Sequence, residues 1–357
     1  MVTVLGLDIG GANTKAAFMV VCDAQVTEFK SALEYFPFWK RSVSEFVCLL
    51  SEMKNKLCGT NGLDIVCVTM TAELSDAFRT KSKGVNQVLD CVVKVFDETS
   101  VLVLDVDAKL VSVAAARSEP LTVASANWAA TGWMVAQRIS DCVVVDVGST
   151  STSIIPITNG AVSAFGKTDL DKLANGELVY TGGLRTNVAA TVQVLPLRGR
   201  NVRVASELFA QSGDVHLVLG NINADDYTVE TADGKEKTRL AALVRLARVV
   251  CADVEMLTET EIMQLAQHVY ERQVLQIAYG LNQVFDRLDR CAKEFPVVVT
   301  GLGKDFLGRK AAEKIGTAKV VSLDSLFPGG AALASPAAGV ALMAATKVEG
   351  KRIAWKP

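Results

Sequence analysis

Histidine is almost missing from this chain. Only His216 and His268 occur in 357 residues, far apart in sequence. That argues against a His-based triad or a His-rich metal cage and leaves both as structural residues. No Cys-x-x-Cys pair occurs among the eight cysteines, Cys22, Cys48, Cys58, Cys67, Cys91, Cys142, Cys251 and Cys291, and no His stands near one, so no zinc set is expected. Cys67 and Cys142 sit in apolar strand-like runs, where a thiol acts as a small hydrophobe. All eight read as reduced thiols of a cytoplasmic protein, with a reactive thiol the minor alternative. An excess of one charge is also lacking: 37 Lys and Arg face 39 Asp and Glu, for a net charge of −2, and no basic run appears. This excludes a chain-wide grip on nucleic acid or on an anionic membrane. The N-terminus enters a strand at once, without a signal-peptide pattern. No apolar run is read as reaching the ~18 residues of a membrane helix.

What is present is apolar sequence in quantity. Half the residues are apolar, and 357 residues suggest about two domains on a prior of roughly 150 residues each. Val2 to Leu7 reads as a buried strand ending at Asp8, followed by strands at Lys15 to Val21 and Gln25 to Lys30. Apolar spacing predicts a helix over Ser44 to Leu57, with Ser44 as N-cap, then a turn at Gly59 to Gly62. Strands follow at Ile65 to Met70 and Val101 to Leu104, and a helix at Asn127 to Ile139. The pattern then restarts with strands at Cys142 to Val145 and Ser153 to Ile157. A loop-rich region from Gly160 to about Gly234 precedes helices at Thr238 to Ala252 and Thr258 to Cys291. Pro296 to Thr300 is a strand, Lys304 to Lys314 a helix, Val320 to Leu323 a strand and Pro336 to Thr346 a helix of small residues. The charged stretch Asp225 to Arg239 reads as a solvated loop.

The restart is a repeat. Asp8-Ile-Gly-Gly-Ala-Asn-Thr14 lies over Asp146-Val-Gly-Ser-Thr-Ser-Thr152, each between two apolar strands. Two such copies imply two similar lobes whose turns would face each other across a cleft. Glycines at Gly10, Gly11 and Gly148 let backbone N–H groups approach an anion, alongside Ala12, Asn13 and the hydroxyls of Thr14, Ser149, Thr150 and Thr152. Asp8 and Asp146 would repel a bare phosphate, so they make sense as ligands of Mg²⁺, with Mn²⁺ the alternative. Lys15 is a candidate to neutralise a further phosphate charge, unless its strand turns it away. A single turn of this kind is most often a plain hairpin; the second copy reverses those odds. Thr300-Gly-Leu-Gly303 supplies Gly301 and Gly303 as a third anion loop or a plain strand-to-helix turn.

Paired turns of this kind resemble the phosphate loops of the actin-like ATPase superfamily, with Thr300 to Gly303 similar to its adenosine-side loop. A closer resemblance covers nearly the whole chain. The runs Gly6 to Ala16, Tyr35 to Lys40, Met70 to Asp76, Asp146 to Thr152 and Gly176 to Gly182, with Arg185-Thr186 and Val250 to Asp253, resemble the hydantoinase/oxoprolinase-like proteins linked to tetrahydromethanopterin C1 transfer. Ala72, Ser153 and Asn187 depart from residues common in that family. The resemblance implies an α/β, two-lobed actin-like ATPase (ribonuclease H-like) fold with duplicated mixed-sheet lobes and a central cleft. It sets an N-terminal lobe at 1–139 and a C-terminal lobe at 140–357, whose last helix is a candidate to pack back on the first lobe.

The activity implied is a transferase step of methanofuran biosynthesis. An aminomethyl-furan-methanol diphosphate is joined to a glutamylated tyramine, forming an aryl ether and releasing pyrophosphate. Within that reading Glu73, just past a strand, is the general base to test for the phenol, its alternative being a helix-start carboxylate. Asp105 is the next candidate, and Asp105 and Asp107 read equally as turn formers. Tyr35, Trp39 and Lys40, or Arg41, would wall the aromatic substrates, unless the aromatics are core; Tyr180 and Arg185 flank a Thr-Gly-Gly turn and would meet phosphate or a carboxylate, unless Arg185 is a surface residue. Rival readings are an ATP-dependent phosphotransferase and a non-catalytic nucleotide-binding regulator. Small-molecule substrates are expected, with neither nucleic acid nor membrane as partner. Binding of an adenine nucleotide and assembly as a homo-oligomer both stay open.

Overall fold

The computed structural model describes residues 1–59, 62–290, 294–317 and 319–356. Thr60 and Asn61 of the expected turn, and the expected helix end and thiol at Cys291, lie outside the described residues. The chain forms two compact units. One comprises residues 1–144, 155–172 and 321–357, the other residues 145–154 and 173–320.

The first unit is built on a seven-stranded mixed sheet. Its labelled strands are β1 (Val2–Ile9), β2 (Asn13–Cys22), β3 (Gln25–Tyr35), β4 (Ile65–Met70), β5 (Val101–Leu104) and β6 (Leu110–Ser112). Their order is β3-β2-β1-β4-β5-β6, with the C-terminal strand Ala354–Trp355 outside β3. β1 is buried along its whole length, so both faces must be covered. Leu5, Leu7 and Ile9 join a core with Phe46, Leu50, Val85, Val88 and Leu89 of the helices Val43–Cys58 and Lys81–Val95. On the opposite face lies the helix Ser335–Glu349, which packs against β1, β2, β4 and the helix Asn127–Ala136.

That last contact depends on missing side chains. A Cβ on Gly6 would stand 2.0 Å from the Ala337 carbonyl oxygen, and one on Gly339 would stand 2.6 Å from that of Ala130. Strand and helices therefore touch backbone to backbone. This also corrects the reading of apolar runs. Residues Ala331–Glu349 are long and apolar enough to cross a membrane, but 78% of that stretch is buried inside the protein. Three further boundaries move. β3 continues past Lys30 to Tyr35. The N-cap of the Val43–Cys58 helix is Ser42, which closes a reciprocal capping box with Glu45. The helix expected to reach Ile139 ends at Ala136.

The second sheet has the order β10-β8-β7-β13-β14, with β9 beside β8. The strands are β7 (Cys142–Val147), β8 (Thr152–Thr158), β9 (Ala161–Val162), β10 (Leu178–Val179), β13 (Val297–Thr300) and β14 (Val320–Ser322); β11 (Val194–Leu197) and β12 (Arg200–Arg203) form a separate hairpin. β7 and β8 cross from one unit to the other along the chain. A 30-residue helix, Glu259–Leu288, starts at the capping box of Thr258 and Glu261. The stretch read as loop-rich contains a wholly buried helix, Ser212–Val218. Its Asp214 pairs with Arg245 at 2.8 Å, both side chains fully buried. Asp233 also reaches Arg245, at 3.1 Å, and Tyr227 is buried. So Asp225 to Arg239 is not simply a solvated loop: two of its residues close around a buried guanidinium, whose charge must be matched. The described cysteines are all free. Burial pushes the Cys142 thiol up to about 12, which suits a packing role.

Gly6→Ala is expected to destabilise the protein by about 3 kcal/mol, since a strand and a helix backbone must part to admit one methyl group. Gly62→Ala, where a Cβ meets nothing within 4 Å, is the control and should change stability by less than about 0.5 kcal/mol. Urea denaturation of the two variants decides it.

Candidate active site

Both copies of the repeated motif close in the same way. At the end of β1, Gly10 N–H donates to the Asn13 carbonyl at 3.0 Å; at the end of β7, Gly148 N–H donates to the Ser151 carbonyl at 2.9 Å. A Cβ on Gly10 would meet Asn13 O at 2.7 Å, so the first turn needs glycine there. These bonds correct one expectation. The N–H groups of Gly10 and Gly148 are engaged inside their own turns, so the two glycines shape the loops and leave anion donation to their neighbours. Thr14 and Thr152 are also corrected. Each is the inward residue of the following strand and is fully buried. The hydroxyl residues of the second turn, Ser149, Thr150 and Ser151, are partly exposed.

The first turn is held from below by the aromatic run. Phe36 N–H donates to the Ala12 carbonyl and Phe38 N–H to that of Gly11, at 2.8 and 3.0 Å. Their rings cluster with Phe46 in the core. Tyr35 is half-buried, and Trp39 and Lys40 are exposed. Arg41 stacks over Phe36 and pairs with Glu45. Asp8 is buried, in register with Lys15 on β2, and its Oδ2 lies 3.8 Å from Lys15 Nζ. Lys15 thus points to the same face as Asp8.

The second turn gathers three loops. Gly183 N–H donates to Gly148 O, and the N–H groups of Leu184 and Arg185 both donate to Ser149 O. Gly182 lies so close to Ser149 and Thr150 that a Cβ would meet their backbone at 2.6 to 2.7 Å. Arg185 reaches Thr150 Oγ1 at 3.3 Å, and Tyr180 is largely exposed. From the third loop, Gly303 N–H donates to Val147 O at 3.0 Å, which engages it within the fold. Gly301, at φ +84°, lies against Val147 and the Asp146 carboxylate, leaving no room for a side chain. Past it the chain makes a π-helical turn, Lys304–Gly308, where an ordinary helix start is expected.

Beneath Gly182 runs a chain of hydrogen bonds that sequence alone does not reveal. Gln273 Nε2 donates to Thr181 Oγ1 and Gly182 O, both at 2.8 Å. Gln273 Oε1 is thereby left as the acceptor, so His216 Nε2–H donates to it at 3.0 Å, and His216 Nδ1 accepts from Asn221 Nδ2 at 3.1 Å. His216 is fully buried, and burial pushes its imidazole down to about 4. It is a neutral strut, as its sequence setting suggested.

Glu73 follows β4 in a single 3₁₀ turn, Ala72–Leu74, tied to the first loop's strand by the hydrogen bond from Thr71 N–H to Ile9 O. Its side chain is 1% exposed. Gly84 of the Lys81–Val95 helix presses on it so closely that a Cβ would stand 2.6 Å from Glu73 Cα. Glu73 Oε1 lies 2.6 Å from Ser125 Oγ, which lies 2.6 Å from Asp169 Oδ2, and Lys81 Nζ sits 2.7 Å from that same oxygen. Burial raises the Glu73 carboxyl to about 7, against the opposing Ser125 hydrogen bond. Ser125, Lys81 and Asp169 are functional candidates that sequence reasoning missed. Nothing in their sequence neighbourhoods marks them; the structure alone shows Ser125 held at φ +53°. Asp105, by contrast, accepts from the N–H groups of Asp107 and Lys109 and so forms a turn, and Asp107 pairs with Lys167.

The hydantoinase/oxoprolinase family profile matches residues 64–347. A protein of Methanocaldococcus jannaschii is 36% identical over 345 residues, covering 95% of this chain and 97% of its own length; it is a (4-{4-[2-(gamma-L-glutamylamino)ethyl]phenoxymethyl}furan-2-yl)methanamine synthase. A synthase of the same name from Methanococcus vannielii is 32% identical over 220 residues, covering 61% of this chain and 97% of its own length. Among solved structures, a nucleotide-free acetone carboxylase, whose acetone carboxylation is ATP-dependent, aligns with a TM-score of 0.58 at 11% identity, covering 96% of this chain and 70% of that one. The fold is accordingly a mixed α/β fold similar to that of the acetone carboxylase chain.

Because the folded imidazole stays neutral down to about pH 4 while an unfolded one protonates near 6.5, His216 supports the fold fully above pH 6.5. That support drains away as pH falls from 6.5 towards 4, by on the order of 3 kcal/mol. Urea denaturation between pH 7.5 and 4.5 should therefore show a steeper acid loss for the unaltered protein than for His216→Gln. Parallel profiles would refute the assignment of a buried neutral imidazole.

Proposed function

This chain belongs to the hydantoinase/oxoprolinase family, and on that premise we propose that it is a transferase of methanofuran biosynthesis. In this reading it joins an aminomethyl-furan-methanol diphosphate to a glutamyl-tyramine-type phenol, forming the aryl ether and releasing pyrophosphate. The observation that carries the proposal is the duplicated turn: an acidic strand end, a glycine N–H closing on the carbonyl three residues on, and a second strand, made twice. Near-full-length likeness to a synthase of that furan product supports this substrate class among those the fold can serve.

Diphosphate departure needs donors where charge builds up. The N–H groups beyond the closing glycines, at Gly11, Ala12 and Asn13 and at Ser149 and Thr150, are the proposed donors, with the Ser149 and Thr150 hydroxyls and Arg185. The donor set also fits Mg²⁺, which takes one or two carboxylates and completes its octahedron with water and substrate oxygens. Asp8 lies near the end of a strand of the first unit and Asp146 near the end of one that runs into the second, and each carboxylate is a hard oxygen donor proposed as a Mg²⁺ ligand. When bound, the ion would neutralise charge on the leaving diphosphate. The exposed Trp39 and Tyr180 are proposed contacts for the aromatic substrates, with Tyr35 beside them and Lys40 placed to meet a charge.

Glu73 is the proposed base for the phenol. An ordinary carboxylate is a weak partner for a phenol of pKa ~10. Burial narrows that gap by raising Glu73 to about 7, which brings its basicity closer to the task at neutral pH.

Incubation with the furan diphosphate, the phenolic acceptor and Mg²⁺ should release pyrophosphate and yield the ether by mass spectrometry, with no nucleotide added. Nucleotide-dependent phosphorylation of a small molecule would instead select the phosphotransferase. Excess EDTA should abolish turnover, and Asp8→Asn and Asp146→Asn should each lower it by on the order of 10²–10³-fold with the fold intact. Full activity in EDTA would remove the metal. For Glu73→Gln a loss of roughly 10²–10⁴-fold is expected. As the base must be ionised, the unaltered enzyme's rate should fall as pH drops through about 7. A rate flat across that range would exclude Glu73.

A further inference from the structure

Ser125 presents a problem of hydrogen counting. Its Oγ is 2.6 Å from Glu73 Oε1 and 2.6 Å from Asp169 Oδ2, yet a hydroxyl carries one hydrogen and an ionised carboxylate none. One of these two short contacts therefore needs a hydrogen from the carboxyl side. Lys81 Nζ lies 2.7 Å from Asp169 Oδ2 and 3.2 Å from Ser125 Oγ, so it pairs with that carboxylate and fills one lone pair of the hydroxyl. Asp169 is partly exposed, with a side chain 21% accessible, whereas Glu73 is sealed. The protonated carboxyl is accordingly Glu73. Glu73 Oε1–H then donates to Ser125 Oγ, the Ser125 hydrogen donates to Asp169, and every polar atom between the two carboxyls is satisfied.

The geometry points to Ser125, Asp169 and Lys81 as a proton path that connects the sealed Glu73 carboxyl to solvent and sets its protonation state. This rests on the reading of Glu73 as the acid–base group. The step balances without any other reactant. The Glu73 O–H bond breaks as its proton moves to Ser125 Oγ, the former Ser125 proton moves to Asp169 Oδ2, and each electron pair stays with the atom that loses its proton. Asp169 then releases the proton to water. Glu73 is left ionised, accepting from Ser125, ready to act again. Its other oxygen, Oε2, is buried and has no hydrogen-bond partner among the described residues. The charged groups acting on Glu73 are Lys81 of the Lys81–Val95 helix and Asp169 of the helix Asp169–Ala174. Lys172, also on the latter helix, lies over the Trp128 ring at 3.6 Å. Ser125, Asp169 and Lys81 are positioning groups: they touch Glu73 or one another.

The test is a difference-infrared titration of the protonated Glu73 carboxyl, assigned by its loss in Glu73→Gln. Lys81→Met removes a cation that favours the ionised form and should raise the titration midpoint, whereas Ser125→Ala breaks the path and should slow exchange of the Glu73 carboxyl proton. Asp169→Asn removes a disfavouring anion and should lower it. Ser125→Gly provides the same readout if Ala strains the φ +53° backbone. In pyrophosphate release, Asp169→Asn should lower kcat at least about tenfold, short of the ~10²–10⁴-fold for losing the acid–base group itself, with KM unchanged. Imidazole or formate in the buffer should restore kcat, because a small carrier replaces the missing proton acceptor and cannot repair a structural defect. Midpoints that stay put, or move in one direction for all variants, would overturn the path. Absence of ether product from the unaltered protein would overturn the proposed function alone, since the infrared signs read the path without turnover. Full activity of Glu73→Gln with the expected signs would remove the acid–base reading while the proton coupling stands.

Discussion

A glycine at the end of a buried strand donates its N–H to the carbonyl three residues on, and much else in each unit is arranged around that closure. It turns the chain within three residues, so an acidic strand end and a returning strand sit side by side. In the first unit the closure pairs Asp8 with Lys15 across β1 and β2 and presents the Gly11 and Ala12 carbonyls to Phe36 and Phe38. In the second it offers Gly148 O and Ser149 O to the backbone of Gly183 to Arg185. The same bond is thus buttressed differently: by an aromatic core below the first turn, by a glycine turn and a Gln–His strut beside the second.

Close backbone approach is the common device. Gly6 and Gly339 let the helix Ser335–Glu349 lie flush between strand and helix, Gly84 lets a helix press on Glu73, and Gly182 and Gly301 bring two loops against the second turn. Each approach removes water and side-chain volume from the neighbourhood of a polar group. The consequence is electrostatic. Glu73 and His216 are both sealed, and in each the neutral form is favoured, which strengthens the carboxylate as a base and makes the imidazole a rigid spacer.

Buried charge is handled in two ways in this protein. Arg245 is matched by Asp214 and Asp233, a closed arrangement that holds a region without regular sheet. Among the described residues, Glu73 has no such cation in direct contact. It touches a neutral hydroxyl, and Lys81 stands one atom further away. A closed ion pair fixes charge, whereas a carboxyl bridged by a hydroxyl to a partly exposed acid can exchange its proton. That difference separates a structural cluster from a chemical one.

Much of this was legible in the chain itself. Strand runs such as Ile65–Met70 and Val101–Leu104 declare themselves through consecutive branched apolar residues, and the repeat of Asp8 to Thr14 at Asp146 to Thr152 declares the paired turns, because local backbone geometry is written in local residue types. Glu73 could be singled out by its place after a strand. Its surroundings could not. Ser125 lies 52 residues away and Asp169 a further 44, and nothing in their own segments marks them as partners. The same holds for Gln273, which reaches Thr181 across 92 residues, and for Thr14, whose hydroxyl the strand's alternation turns inward. Sequence determined the elements and the turns, since those depend on neighbours along the chain. Tertiary structure alone decided which carboxyl is sealed from water and which hydroxyl bridges it to solvent, since burial and proton sharing depend on neighbours in space.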